Sequence, residues 1–209
     1  MRLYLASTSP ARLATLRAAG IDPVLLSPGV DEEAVVAAAG PLTAAEMVEL
    51  LARRKAEAVT GDPEIDGLVL GGDSAFEIDD RIYGKPHRPE VAKERWMRQR
   101  GRAGVLHSGH WLIDHRGGRV GGAHGAVSSA TVRFAADLDE REIDAYIATG
   151  EPLRVAGAFT IDSLGAAFIE SVDGDPHAVV GLSVATLRTL VRGFGIAWPD
   201  LWNRVPGQR

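Results

Sequence analysis

The chain has 209 residues, room for one α/β domain or two small ones. Apolar residues make up 45%, enough for a packed core, and a net charge of −5 argues against bulk nucleic-acid affinity while leaving room for a local basic pocket. The absence of cysteine excludes disulfides and thiolate chemistry, and no apolar run is long enough to span a membrane.

In chain order, Leu3–Ala6 reads as a buried strand. Ser9 then offers an N-cap, Pro10 suits the first helical position, and Gly20 marks the stop. "PVLLS" at 23–27 is a second strand, followed by acidic "VDEE", read as a loop. Thr43 and Glu46 form a capping box for a helix running to about Val59. "GLVLGGDSAF" predicts a short buried strand that ends through two glycines, and "AFEIDDRIYGKP" a hairpin turning at Asp79–Asp80. Pro89 opens a helix through about Arg98. "VLHSGHWLID" and "AVSSATVRFA" read as strands separated by a glycine-rich turn. Asp137 and Glu140 are read as caps of a helix ending at Gly150, "AAFIESV" as a late strand, and Ser183–Phe194 as the last helix. Interleaved strands and helices without a repeat or long linker predict an α/β fold in one domain, 1–209. Residues 1–20 carry no signal peptide, so a cytoplasmic location is expected.

Several polar groups stand out against this frame. Ser7, Thr8 and Ser9 precede a helix whose free N–H groups suit phosphate, with Arg12 one turn in. Capping alone is the commoner use of such hydroxyls. At about 100° per residue, Met47, Leu51, Ala58 and Val59 share one face of the second helix, and Lys55 falls within it. A lysine there either snorkels or meets an anion. Asp73, at the predicted carboxyl end of a strand, is placed either for a ligand or for a turn. Lys85 in "YGKP" alone reads as a surface lysine. "VDEE" could ligate a divalent cation with Asp73, although such runs are more often solvated. The six histidines show no metal-site spacing; His107, His110, His115 and His124 read as structural or exposed. The four tryptophans lack the basic interleaving that suits nucleic acid.

Together these segments resemble the Maf family, the septum-formation-inhibitor-like nucleotide pyrophosphatases. "ASTSPARL" matches that family's "ASxSPRR", Asp31–Glu32 its "DE", "RRKAEAV" its "xxKAxAV", "GGDS" its "GADT", and Gly84–Pro86 its "GKP". "EPLRVAGAFTIDSLGA" and "VVGLSV" match its late segments. The resemblance implies an elongated mixed sheet flanked by helices, similar to inosine-triphosphate pyrophosphatases, with two lobes and a central cleft. It implies hydrolysis of nucleoside triphosphates to monophosphate and diphosphate, with Mg²⁺ or Mn²⁺, to remove non-standard or modified nucleotides. It assigns Ser7, Arg12, Lys55 and Lys85 to the triphosphate, Glu32 and Asp73 to the metal, and Asp73 also to the attacking water. Homodimers are usual in the family; nucleic acid and membrane are not expected partners.

The sequence departs from the pattern at Ala11, for the first of paired arginines, at Val155, for a lysine, and at Asp162, for a glutamine. Ser74 replaces a threonine and keeps the hydroxyl, and "GRAGVLHSGH" matches its family segment weakly. The resemblance assigns Ala11, Ser74 and Asp162 to choice of the base. The competing function is a non-catalytic nucleotide-binding regulator of cell division; intact Asp73, Lys55 and Lys85 favour the enzyme.

Overall fold

The computed structural model describes residues 1–204. Strands β1 (Leu3–Ala6), β2 (Val24–Leu26), β3 (Gly67–Ile78), β4 (Arg81–Tyr83), β5 (Ala103–His115), β6 (Gly122–Phe134) and β7 (Ile169–Gly174) build one sheet. Its order is β2-β1-β3-β5-β6-β7, with β4 paired to β3. β1 runs parallel to β2 and β3, whereas the β3–β4 and β6–β7 pairs are antiparallel, so the sheet is mixed. The helices are α1 (Pro10–Ala18), α2 (Glu32–Ala39), α3 (Ala44–Glu57), α4 (Pro89–Gln99), α5 (Glu140–Ala148), α6 (Pro176–Val180) and α7 (Val184–Gly193). The α/β class read from the sequence is the one observed. No helix among the described residues is long and apolar enough to cross a membrane.

The chain divides into two compact units, one of Met1–Asp73, Ser108–Ser128 and the segment from Gly181 onward, the other of Ser74–His107 and Ser129–Val180. In the first, alternation along the strands fills two cores. Leu3 and Leu5 of β1 and Leu68 and Leu70 of β3 join Leu187, Leu190 and Val191 of α7. Tyr4, Ala6 and Val69 point the other way, to Ala56 of α3. Apolar cover on both faces explains the unbroken apolar runs "LYLA" and "GLVL". The second unit has an aromatic core in which Phe76, Trp96, Phe134 and Phe159 meet edge to face at 5.0–5.8 Å. Trp96 Nε1 donates to the Ala158 carbonyl at 2.8 Å.

Local signals account for most boundaries. Ser9 and Thr43 cap α1 and α3 as expected, and Ser183, read as the first residue of the last helix, is the N-cap of α7. Asp79 and Asp80 take φ of 54° and 56°, the left-handed pair that a two-residue hairpin turn requires. Three expectations need correction. "VDEE" is not a loop: Asp31 accepts from Ala34 N at 3.0 Å and starts α2, with Glu32 and Glu33 in its first turn. The cap of α5 is Asp139, boxed with Glu142, not Asp137 with Glu140. Buried Leu138 just before that cap and Ile143 in the first turns share one core, an arrangement that draws the helix start inward. Finally, β3 does not end at the glycines but runs through them to Ile78, so Asp73 lies mid-strand.

Candidate active site

Gly71 explains why Asp73 stands where it does. A Cβ there would overlap the Ala52 carbonyl oxygen and come within 2.8 Å of Ala56 N, so the backbone of α3 lies directly on β3. Gly109 of β5 makes the same allowance for Val48 of α3. Asp73 shares a strand face with Gly71, two residues on, and Lys55 lies on α3 between Ala52 and Ala56. The close approach therefore sets Lys55 over Asp73, and Lys55 Nζ donates to Asp73 Oδ1 at 2.6 Å. Lys55 Nζ is also 2.6 Å from Glu32 Oε1 on the first turn of α2. Of the two uses the sequence left open for this lysine, the structure shows the second: it meets anions. The buried stripe of α3 is Ala44, Val48, Leu51, Ala52, Lys55 and Ala56. Ala58, expected on that stripe, is exposed.

Arg12 joins the same group. It is buried; its Nε donates to the Gly181 carbonyl at 2.8 Å and its Nη1 to Ser7 Oγ at 3.1 Å. Ser7 Oγ also accepts from Ser9 N at 3.2 Å. A Cβ on Gly72 would stand 3.1 Å from Arg12 Nε, so this glycine leaves room for the guanidinium. Burial lowers the Arg12 pKa, opposed by the charges of Asp73 and Glu32. Burial pushes the Asp73 carboxyl up from the ordinary carboxylate value, against the pull of Lys55 and Arg12. Ser7, Arg12, Glu32, Lys55 and Asp73 thus form one charged, partly buried cluster in the first unit. Ala11 is half-buried on α1. Ser74, Lys85 and Asp162 belong to the second unit; Ser74 is half-buried, and Lys85 and Asp162 are exposed. Among the described residues no group of three or more His, Cys, Asp or Glu could hold a metal ion.

Sequence reasoning missed Glu151. Its carboxylate gathers donors from Tyr146 and from four positions of the 160–165 segment. The histidines behave as expected: buried His110 accepts from Ser183 N at 2.9 Å and buried His115 bonds to the Ile65 and Thr60 carbonyls. His107 links Glu77 and Ser129, and His124 lies against Phe194.

The model of the Maf-like protein family matches residues 2–194. The chain belongs to the Maf family. A protein of Leifsonia xyli subsp. xyli named nucleoside triphosphate pyrophosphatase is 67% identical over 98% of each chain. One of the same name from Corynebacterium jeikeium is 50% identical over 97% of this chain and 100% of its own. Among solved structures, the Staphylococcus aureus Ham1 protein aligns over 65% of this chain and 73% of its own, at 14% identity and a TM-score of 0.41, too loose a match to carry an inference. The Maf motifs "ASTSPARL", "DE", "RRKAEAV" and "GGDS" are the segments that supply the cluster around Lys55.

Proposed function

We propose that this Maf-family chain hydrolyses nucleoside triphosphates to nucleoside monophosphate and diphosphate. The observation that carries the proposal is a buried lysine held 2.6 Å from each of two carboxylates, Asp73 and Glu32, beside a buried arginine. Its relatives' shared name, nucleoside triphosphate pyrophosphatase, supports the same reading.

In this mechanism water attacks the α-phosphorus, the bond to the bridging oxygen breaks, and diphosphate leaves. Asp73 orients the water and takes its proton, a task suited to a carboxyl that burial has raised. Lys55, Lys85, Arg12 and Ser7 bind the phosphate chain and offset its charge; such catalysis is mostly positioning plus electrostatics. Glu32 and Asp73 would hold a divalent cation, Mg²⁺ or Mn²⁺. Hard cations take carboxylate oxygen, and a carboxylate pair that already converges on one ammonium fits that donor set. When bound, the cation would neutralise charge on phosphate oxygens. A non-catalytic regulator has no use for a raised buried carboxyl beside a lysine.

The test is a panel of nucleoside triphosphates with Mg²⁺, scoring products. One diphosphate per monophosphate is expected. Orthophosphate as the sole released phosphate, or no turnover across the panel, overturns the proposal.

A further inference from the structure

Three neighbouring strands, β3, β5 and β6, carry Glu77, His107 and Ser129, all within the second unit. Their chain neighbours Phe76, Ile78, Leu106 and Ala130 are buried in the aromatic core of that unit, so alternation turns these three to the opposite face. His107 Nδ1 lies 2.8 Å from Ser129 Oγ, and its Nε2 lies 3.1 Å from Glu77 Oε2. A carboxylate only accepts, so Nε2 carries the hydrogen and donates to Glu77, which leaves Nδ1 to accept from the Ser129 hydroxyl. The His107 side chain is 14% exposed and that of Glu77 33%, whereas Ser129 is open to solvent. A reachable serine, a base aimed at its hydroxyl and a carboxylate that fixes the tautomer of the base are the parts of an activated nucleophile.

We propose that Ser129 is a nucleophile for acyl transfer, with His107 as its general base and Glu77 as the residue that positions the imidazole. The ligand class is a neutral, activated ester. Charge favours that class over a phosphoryl donor. The carboxylate in the row repels phosphate, and Arg133, on the same face of β6, stands four residues from Ser129, about 13 Å along the strand. The imidazole N–H is engaged by Glu77, so the row gives no donor to a developing oxyanion, and the ester needs a good leaving group.

In the first step Ser129 Oγ attacks the ester carbonyl carbon while its proton passes to His107 Nδ1. The bond from that carbon to the leaving oxygen breaks, and the leaving oxygen takes the proton from His107. Water then attacks the acyl-serine and gives a proton to His107, which returns it to Ser129 Oγ as the carboxylic acid departs. None of Ser7, Arg12, Glu32, Lys55 and Asp73 takes part in either step.

The probe is p-nitrophenyl acetate on the full chain, with the acetylated residue located by peptide mass spectrometry. Ser129 should acetylate about 10²-fold faster in the wild type than in His107→Gln, the low end for a positioned general base. Ser129→Ala should lose the labelled peptide and keep the wild-type melting temperature. Glu77→Leu removes the acceptor for Nε2–H. Its His107 imidazole ¹⁵N signals should depart from the single-tautomer pattern of the wild type, and Ser129 should acetylate about tenfold more slowly. Acetyl groups on lysines and the amino terminus with none on Ser129 overturn the proposal, as do equal Ser129 rates in wild type and His107→Gln; the row is then cross-strand hydrogen bonding alone. If His107→Gln fails to fold, Glu77→Leu decides: an unchanged His107 tautomer and an unchanged Ser129 rate overturn the proposal.

Discussion

Burial raises the Asp73 carboxyl while Lys55, 2.6 Å away, and Arg12 pull it down, and burial prevails. The folded state therefore binds this proton more tightly than the unfolded chain. The contribution of Asp73 to stability is full below the unfolded carboxylate value, ~3.9, and is lost as pH rises through the higher folded value. Catalysis runs the opposite way, because a base must be ionised: the rate of the free enzyme should fall as pH drops through that folded value. Asp73→Asn should keep the circular dichroism of the wild type, lose roughly 10²–10⁴-fold in rate and lose this acid limb. Initial rates across the acid range check both, and a near-normal rate removes Asp73 from the chemistry. Lys55 is the complementary case. Lys55→Met keeps the apolar stem and deletes the charge, leaving Asp73 without its nearest cation. The rate should drop by about 10²–10³, the range seen when one positioned donor to a developing charge is lost. The loss of stability should be largest near neutral pH and shrink in acid, where Asp73 is protonated and needs no partner. Urea unfolding at two pH values reads this; an equal loss at both values would make Lys55 a packing residue.

Elements whose signals are local were legible in the sequence, as with the capping box at Thr43–Glu46 and the left-handed turn at Asp79–Asp80. Helix α2 was not, because it has no buried residue and "AVVAAA" therefore carries no one-sided period. Its ends held the signal: Asp31 as cap, two glutamates in the first turn, and Gly40 after the last turn. Glu151 was hidden for another reason: four of its partners lie 9–14 residues downstream, beyond any local pattern. In β3 the glycine pair reads as a break, yet Gly71 serves a close contact with another element. That close contact makes Gly71 a sharp test of how the site is built. Gly71→Ala must push α3 away from β3, and forced overpacking of this kind costs about 1–3 kcal/mol. Because α3 carries Lys55, the rate of the remaining folded enzyme should fall as well. Denaturant unfolding and rates per folded molecule separate the effects; a stable variant with normal rate would show that helix position does not set the lysine.

At the scale of the whole molecule, Glu32, Lys55 and Asp73 converge within the first compact unit. A Glu32–Asp73 pair leaves most of a cation's ligands to water and phosphate, the style of Mg²⁺ sites. EDTA should abolish turnover and Mg²⁺ or Mn²⁺ should restore it, whereas full activity in EDTA would remove the metal from the mechanism. The choice of base is a separate expectation that comes from the family resemblance. The family pattern has glutamine where this chain has Asp162, and arginine where it has Ala11. A glutamine amide offers a donor and an acceptor, and so can pair with the imide edge of uracil or thymine; an ionised aspartate only accepts. Facing a carbonyl it repels, and facing an exocyclic amino group it bonds. The competing role, Asp162 as cap of its own turn, is not what the structure shows: Glu151 holds that segment, and Asp162 makes no such bond among the described residues. Ala11 also removes a cation on α1. The expected outcome is that CTP or GTP, with amino groups, is turned over at least as efficiently as UTP and dTTP. Asp162→Gln should move the preference toward UTP and dTTP, with KM changing more than kcat. The values of kcat/KM for UTP, dTTP, CTP, GTP and ATP on both proteins decide it: strong selectivity of the wild type for UTP or dTTP, unmoved by the substitution, would take Asp162 out of base recognition.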